Sequence, residues 1–156
     1  MRFFLAAIFL LIFLSQSAFA QVSFDPGYII DVQGTRKECL IENKEWLYNP
    51  TQFKYKLNNS ETVIAGDLST VKEFGVGTEQ KFIRAKVEID RSSDDLRDLS
   101  TSRNPEFSTE TIFLKVLIEG EVSLYSYTES NFKRFFYQLN NESINQLVHK
   151  QYYISQ

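Results

Sequence analysis

Residues 111–139 read TIFLKVLIEGEVSLYSYTESNFKRFFYQL, and the fold turns on how this stretch is read. β-Branched and aromatic residues are densest here. Two turn-like breaks interrupt them, Glu119-Gly120-Glu121 and Thr128-Glu129-Ser130-Asn131. The pattern predicts three antiparallel strands joined as a meander.

Register decides which side of that meander is buried, because a slip of one residue exchanges the faces. Loops of three residues (Glu119–Glu121) and four (Thr128–Asn131) align Ile118 with Val122 and Tyr137, and Val116 with Leu124 and Phe135. That side is apolar and is expected to face the core. The opposite side then carries Phe113, Tyr127 and Phe132 beside Lys115, Tyr125 and Arg134. Rings flanked by cations suit stacking on sugars or gripping an anionic peptide or glycan. Tyr125, Tyr127, Phe132, Arg134 and Lys115 are therefore the candidate ligand-binding residues. The competing reading packs this second side on the Tyr28–Ile89 barrel, with Lys115 and Arg134 snorkelling at its edge. It is preferred, because exposed apolar patches of that size are uncommon on monomers.

Outward from the meander, residues 1–20 read as a cleaved secretory leader. Arg2 precedes the apolar run Phe3–Leu14, and Ala18-Phe19-Ala20 has the small-x-small spacing of a cleavage site. Twelve apolar residues are too few to span a bilayer, which takes about 20. The mature chain then starts at Gln21, keeps 136 of the 156 residues and has no membrane span. Sixteen Lys and Arg face twenty Asp and Glu once Arg2 is gone, a net charge of −4. Such a mildly acidic, mixed surface has no footprint for nucleic acid. Cys39 is the one cysteine, so no internal disulfide supports the fold.

Residues 21–90 predict a small SH3-like β-barrel or roll. Tyr28–Ile30 and Glu38–Ile41 flank a turn holding Gly34, and Gln52–Leu57, Thr62–Ala65, Glu73–Val76 and Gln80–Ile89 follow as extended segments. Asp67 caps one expected helical turn over Leu68–Lys72. Residues 91–107, rich in Ser, Asp and Arg, predict a polar linker with a short helix over Asp94–Leu99 capped by Ser93. Residues 108–156 hold the meander and a last strand over Ile144–Tyr153, packing on the first part. The fold class expected is all-β.

No arrangement of residues selects a reaction. His149 is the one histidine and sits in a weak terminal strand beside Lys150, where a surface or partly packed imidazole is expected rather than a general base. The acids Asp90, Asp94, Asp95 and Asp98 lack the central glycine and closing glutamate of a calcium loop. No phosphate-cradling glycine motif is present. No metal or cofactor is expected. Asn58-Asn59-Ser60 and Asn141-Glu142-Ser143 match the glycosylation pattern and also serve as turns.

Several motifs run in series along the mature chain: GYIID at 27–31, ECLIEN at 38–43, FKYKL at 53–57, VKEFGV at 71–76, IDRSS at 89–93, RNPEF at 103–107, RFFY at 134–137 and QLVHKQY at 146–152. With them the mature chain resembles a family of uncharacterised exported proteins from Bacteroidetes. Members have a β-rich N-terminal region, in some followed by an outer-membrane β-barrel. The resemblance implies export to the periplasm or the outer membrane and carries no activity with it. The expected function is a non-catalytic binding or structural module of the cell envelope, with an envelope glycan or protein as partner. The alternative is a carboxylate-dependent hydrolase acting on envelope glycans.

Overall fold

The computed structural model describes residues 23–154 apart from 45, 79 and 141. The expected leader and its cleavage site lie outside the described residues. Ten strands make one sheet: β1 (Phe24–Asp31), β2 (Arg36–Glu42), β3 (Gln52–Leu57), β4 (Ile64–Asp67), β5 (Val71–Val76), β6 (Gln80–Asp90), β7 (Phe107–Ile118), β8 (Val122–Glu129), β9 (Phe132–Leu139) and β10 (Asn145–Leu147). Their order is β10-β9-β8-β7-β6-β5-β1-β2-β3-β4, and every neighbouring pair is antiparallel. The protein is all-β, and the described residues contain no helix. The sheet stays open, so the first part is a rolled half of it and not a closed barrel.

Both helical turns expected from capping residues are absent, although the caps themselves form. The Asp67 carboxylate accepts from the amides of Ser69 and Thr70, and Ser93 Oγ accepts from Asp95 N. These bonds close tight turns, since Asx and Ser side chains satisfy a turn as well as a helix start. The last strand is also shorter than Ile144–Tyr153, covering Asn145–Leu147 alone.

The sheet carries two cores, and they lie on opposite faces. Ile29, Cys39, Ile41, Phe53, Val71, Phe74, Val76, Phe82 and Phe113 form the first. Ala85, Val87, Ile89, Ile112, Leu114, Tyr125, Tyr127 and Phe136 form the second. Side chains alternate across a strand. Phe82 of β6 and Phe113 of β7 therefore point into the first core, while Ile83, Ala85, Val87 and Ile89 of β6 and Ile112 and Leu114 of β7 feed the second from the other side. The long strands β6 and β7, paired from Phe82↔Lys115 to Asp90↔Phe107, are the shared wall.

Each half rolls toward its own core. In the first, Phe53 of β3 stacks on Phe74 of β5 at 4.0 Å although β1 and β2 lie between them in the sheet. Flat, those strands would stand about 14 Å apart, so the half is strongly coiled. Gly66 permits it: a Cβ there would stand 2.7 Å from the Phe53 ring. In the second half β10 returns against β6, where Asp90 N donates to Gln146 Oε1 at 2.7 Å.

The meander forms as expected, with its faces exchanged at β7. Val116 pairs with Tyr125 but Ile118 pairs with Leu124, because a bulge at Leu117 inserts one residue. Val116 thus packs against the second core and Ile118 points away from it. At the other turn the loop is two residues, Ser130-Asn131, with Ser130 at a φ of 52°.

Candidate functional site

Four of the five candidate binding residues come together, and they do so inside the second core. Tyr125 and Tyr127 are buried, Phe132 is half-buried and Arg134 is almost wholly enclosed at 4% exposure. Lys115 is not with them. It pairs with Phe82 and Ser126 on the opposite face, its ammonium 6.0 Å from the Phe82 ring centre. The expected Lys115–Tyr125–Arg134 row therefore does not exist: the bulge at Leu117 turns Lys115 to the other face, and the two-residue loop Ser130-Asn131 pairs Arg134 with Tyr127 instead of Tyr125.

Arg134 closes one end of the core. Its Nε donates to Asp90 O at 2.9 Å, Nη2 to Ser92 O at 2.7 Å and Nη1 to Lys133 O at 3.0 Å and to the Asp94 carboxylate. The guanidinium lies 4.1 Å from the Phe132 ring centre. Burying an arginine is tolerable only when its charge and donors are answered, and the chain from Asp90 to Asp94 supplies both. Asp90 ties the same segment down from the other side. Its Oδ1 accepts from Ser92 N, Ser92 Oγ and Glu106 N. Burial pushes that carboxyl up, yet these donors and the Arg134 charge outweigh it and hold it below its ordinary value.

Arg91 covers the same end from outside. It grips Glu110 in a fork, Nε–Oε1 2.8 Å and Nη2–Oε2 2.5 Å, and reaches Glu129 at 2.9 Å. The Tyr127 hydroxyl also donates to Glu129, and Arg91 stands over the Phe132 and Tyr127 rings. Hydrogen bonds from Arg91 hold both carboxyls below the usual glutamate range. A cavity of about 410 Å³ opens between residues 91–95 and 129–132. Its charged side chains are already paired, Arg91 with Glu129, Asp94 with Arg134 and Asp95 with Arg97, so little is left over to hold a ligand.

A second polar cluster sits at the far end of β6. Lys81 Nζ lies 3.3 Å from Glu73 and 2.6 Å from Glu119, and the Tyr28 hydroxyl donates to Glu73 at 2.7 Å. Burial, then the bond to Glu73, pushes the Tyr28 phenol up to about 12. Cys39 is buried in the first core, and burial raises its thiol to about 11, which makes it inert as a nucleophile at neutral pH. Among the described residues no group of three or more His, Cys, Asp or Glu is arranged to hold a metal ion. No helix among them is long and apolar enough to cross a membrane.

The feature that sequence reasoning missed lies on the outer face of the second half. The side assigned to the core is the one in solvent. Ile118 (58% exposed), Val122 (56%), Phe135, Leu139 and Leu147 (49%) are exposed there, with Leu124 and Tyr137 half-buried between them. Register places them together. Ile118, Leu124 and Tyr137 form one row across the strands, Val122 and Leu139 the row beside it, and Phe135 and Leu147 the row on the other flank. Lys133 stands beyond the Phe135 end, its ammonium 5.0 Å from that ring centre. Glu121 and Glu142 stand exposed beyond the Val122–Leu139 end.

Comparison with protein-family models, curated proteins and solved structures finds no match to this chain.

Proposed function

We propose that this protein is an exported, non-catalytic binding or structural module of a bacterial cell envelope, acting through the outer face of β7–β10. The observation that carries this is the exposed apolar stripe from Ile118 to Leu147 on a half-sheet whose inner face is already filled. Contiguous apolar surface left in solvent marks a place for a partner more often than an accident of folding. Export is read from the leader pattern over residues 1–20, and placement in the envelope from the resemblance of the motif series to exported Bacteroidetes proteins.

The hydrolase alternative is less well supported. Glycoside hydrolysis by paired carboxyls needs one of them raised so that it stays protonated, whereas hydrogen bonds from Arg91 push the neighbouring Glu110 and Glu129 the other way. The experiment incubates the exported protein with a panel of envelope glycans and envelope-protein peptides, and follows retention and product formation together. Retention without turnover, weakened by polar substitution at Val122, is expected; released products would overturn the reading. Mass spectrometry of the exported chain should find Gln21 at its amino terminus.

A further inference from the structure

We infer that the outer face of β7–β10 is a self-association surface whose partner is a second copy of this chain, stacked face to face with its strands reversed. The inference rests on the proposed binding role of that face and names its occupant.

The charge pattern selects both the partner and the arrangement. The apolar rows run along β8 and β9 between one basic end, Lys133 with the half-buried Lys115 of the Phe135 row, and one acidic end, Glu121 with Glu142. Lys133 and Leu139 stand six residue steps apart along β9, about 20 Å at strand spacing. A stripe with opposite charges at its two ends is complementary to itself once it is turned around. Two such sheets can be related by a two-fold axis lying between them in one of two simple ways. An axis along the strands would set Lys133 over Lys133 and Glu121 over Glu121. An axis across the strands, through the Leu124–Tyr137 row, sets each Lys133 over the other copy's Glu121 and Glu142. The second places every unlike charge together and packs Val122 and Leu139 of one copy near Phe135 and Leu147 of the other. Isologous contacts of this kind are the commonest in soluble oligomers, and sheets stacked in this way stand about 10 Å apart.

Size fixes the expected strength. The stripe covers about 20 Å along the strands and about 14 Å across β7–β10, a footprint near 300 Å². A standard interface takes about 800 Å² from each partner. Even with its charged rims the pair is a weak one, with a dissociation constant in the micromolar range or above.

Sedimentation equilibrium of the purified protein, from about 10 µM to about 1 mM, tests this around the range expected for a small interface. Reversible dimerisation is expected. Val122→Arg with Leu139→Glu puts an opposite-charge pair on directly opposed strand positions, which keeps the strand pairing. It should abolish the dimer while leaving the melting temperature unchanged. Lys133→Glu should weaken the dimer about tenfold, and adding Glu121→Lys and Glu142→Lys to it should restore most of that loss. A monomer across the whole range would overturn the inference, as would a dimer indifferent to Val122 and Leu139, which would point to the open edges at β4 or β10. Loss without recovery in the triple charge reversal would overturn the reversed arrangement. Envelope retention, measured on the same variants, separates this inference from the reading beneath it. A monomer whose retention still depends on Val122 discards the second copy and keeps the binding role. A dimer with no affinity for envelope material does the reverse.

Discussion

Around Phe74 the first half of the sheet packs ring against ring, whereas around Arg134 the second half closes its core with an ion. Phe74 stacks on Phe53 at 4.0 Å and on Phe82 at 4.8 Å, with Phe113 edge-on at 5.2 Å and Trp46 at 5.8 Å. Such a core needs only shape and area. The second core is mostly aliphatic, with two tyrosines and the buried Phe136, and its open end is stopped by a guanidinium and a polar loop. The difference teaches what each half depends on. The first loses stability through cavities, and the second through the loss of specific hydrogen bonds that hold residues 91–106 in place.

Phe74→Ala should break the first half most severely. A wholly buried ring contacted from four sides leaves a cavity that stiff neighbours cannot fill, at a cost of about 3–5 kcal/mol. Urea denaturation reads it directly, and a loss under about 1 kcal/mol would mean that the aromatic cluster is not the keystone of that half.

Arg134→Leu probes the other half at nearly the same scale. The apolar stem is kept, but the carbonyls of Asp90 and Ser92 lose their donors and Asp94 loses its cation. About 2–3 kcal/mol is expected from stranded polar groups. The distinguishing readout is local. Amide exchange should rise through residues 91–106 and stay unchanged around Phe74, so an even rise over both halves would contradict two separately sealed cores.

Much of this division was legible in the chain, and the illegible part has a physical cause. Residues 52–57 are strand as their alternation predicts, residues 80–90 carry unlike faces as read, and the turn at Gly34 has the positive φ that a tight connection asks for. The meander was legible too. Its inside was not, because both of its faces are apolar: Ile118, Val122, Leu124 and Phe135 on one, Tyr125, Tyr127 and Phe136 on the other. Alternation ranks aliphatic above tyrosine, whereas the fold buries tyrosines whose hydroxyls find partners, as Tyr125 does at Gln138 and Tyr127 at Glu129. The bulge at Leu117 leaves no mark in residue type. Nor does alternation foresee a sheet that changes its buried face midway, though Phe82 and Ile83 side by side in one strand are its trace.

Asn49 is the second thing that the chain conceals. Pro50 disfavours helix for the residue before it, and nothing else in the chain marks Asn49, yet it is a joint between the halves. Its amide donates to Thr128 O, its Oδ1 accepts from Thr128 N, and its Nδ2 donates to the carbonyls of Phe113 and Ser126. It fills the opening where the β7–β8 ladder ends at Lys115↔Ser126. Asn49→Ala should cost about 1–2 kcal/mol, because three partly buried backbone groups lose a partner. The two halves should also become less coupled, seen as a broadened thermal transition. A transition that shifts without broadening would place the coupling in β6 and β7 alone.

The smallest effect concerns acid. Glu110 and Glu129 owe their lowered values first to hydrogen bonds from Arg91, and Asp90 owes its own to Ser92, Glu106 and Arg134 against the pull of burial. A carboxyl held low in the folded state adds stability that is complete above its unfolded value, near 4. That contribution disappears as pH falls through the lower folded value, when the folded carboxylate is finally protonated. The protein should therefore keep its melting temperature from neutrality down to about pH 5 and lose it progressively below about pH 4. Arg91→Met removes the cation and keeps much of the stem over Phe132 and Tyr127. Glu110 and Glu129 then return toward ordinary values, and the variant should start about 1 kcal/mol less stable at neutral pH, as expected for two partly exposed pairs. On acidification it should lose less than the wild type, because the pairs that acid would break are already gone. Asp90 keeps its donors, so a residual acid slope remains. Parallel acid curves for the two proteins would show that the Arg91 pairs contribute nothing, and would leave Asp90 and Arg134 as the whole of the second half's electrostatic seal.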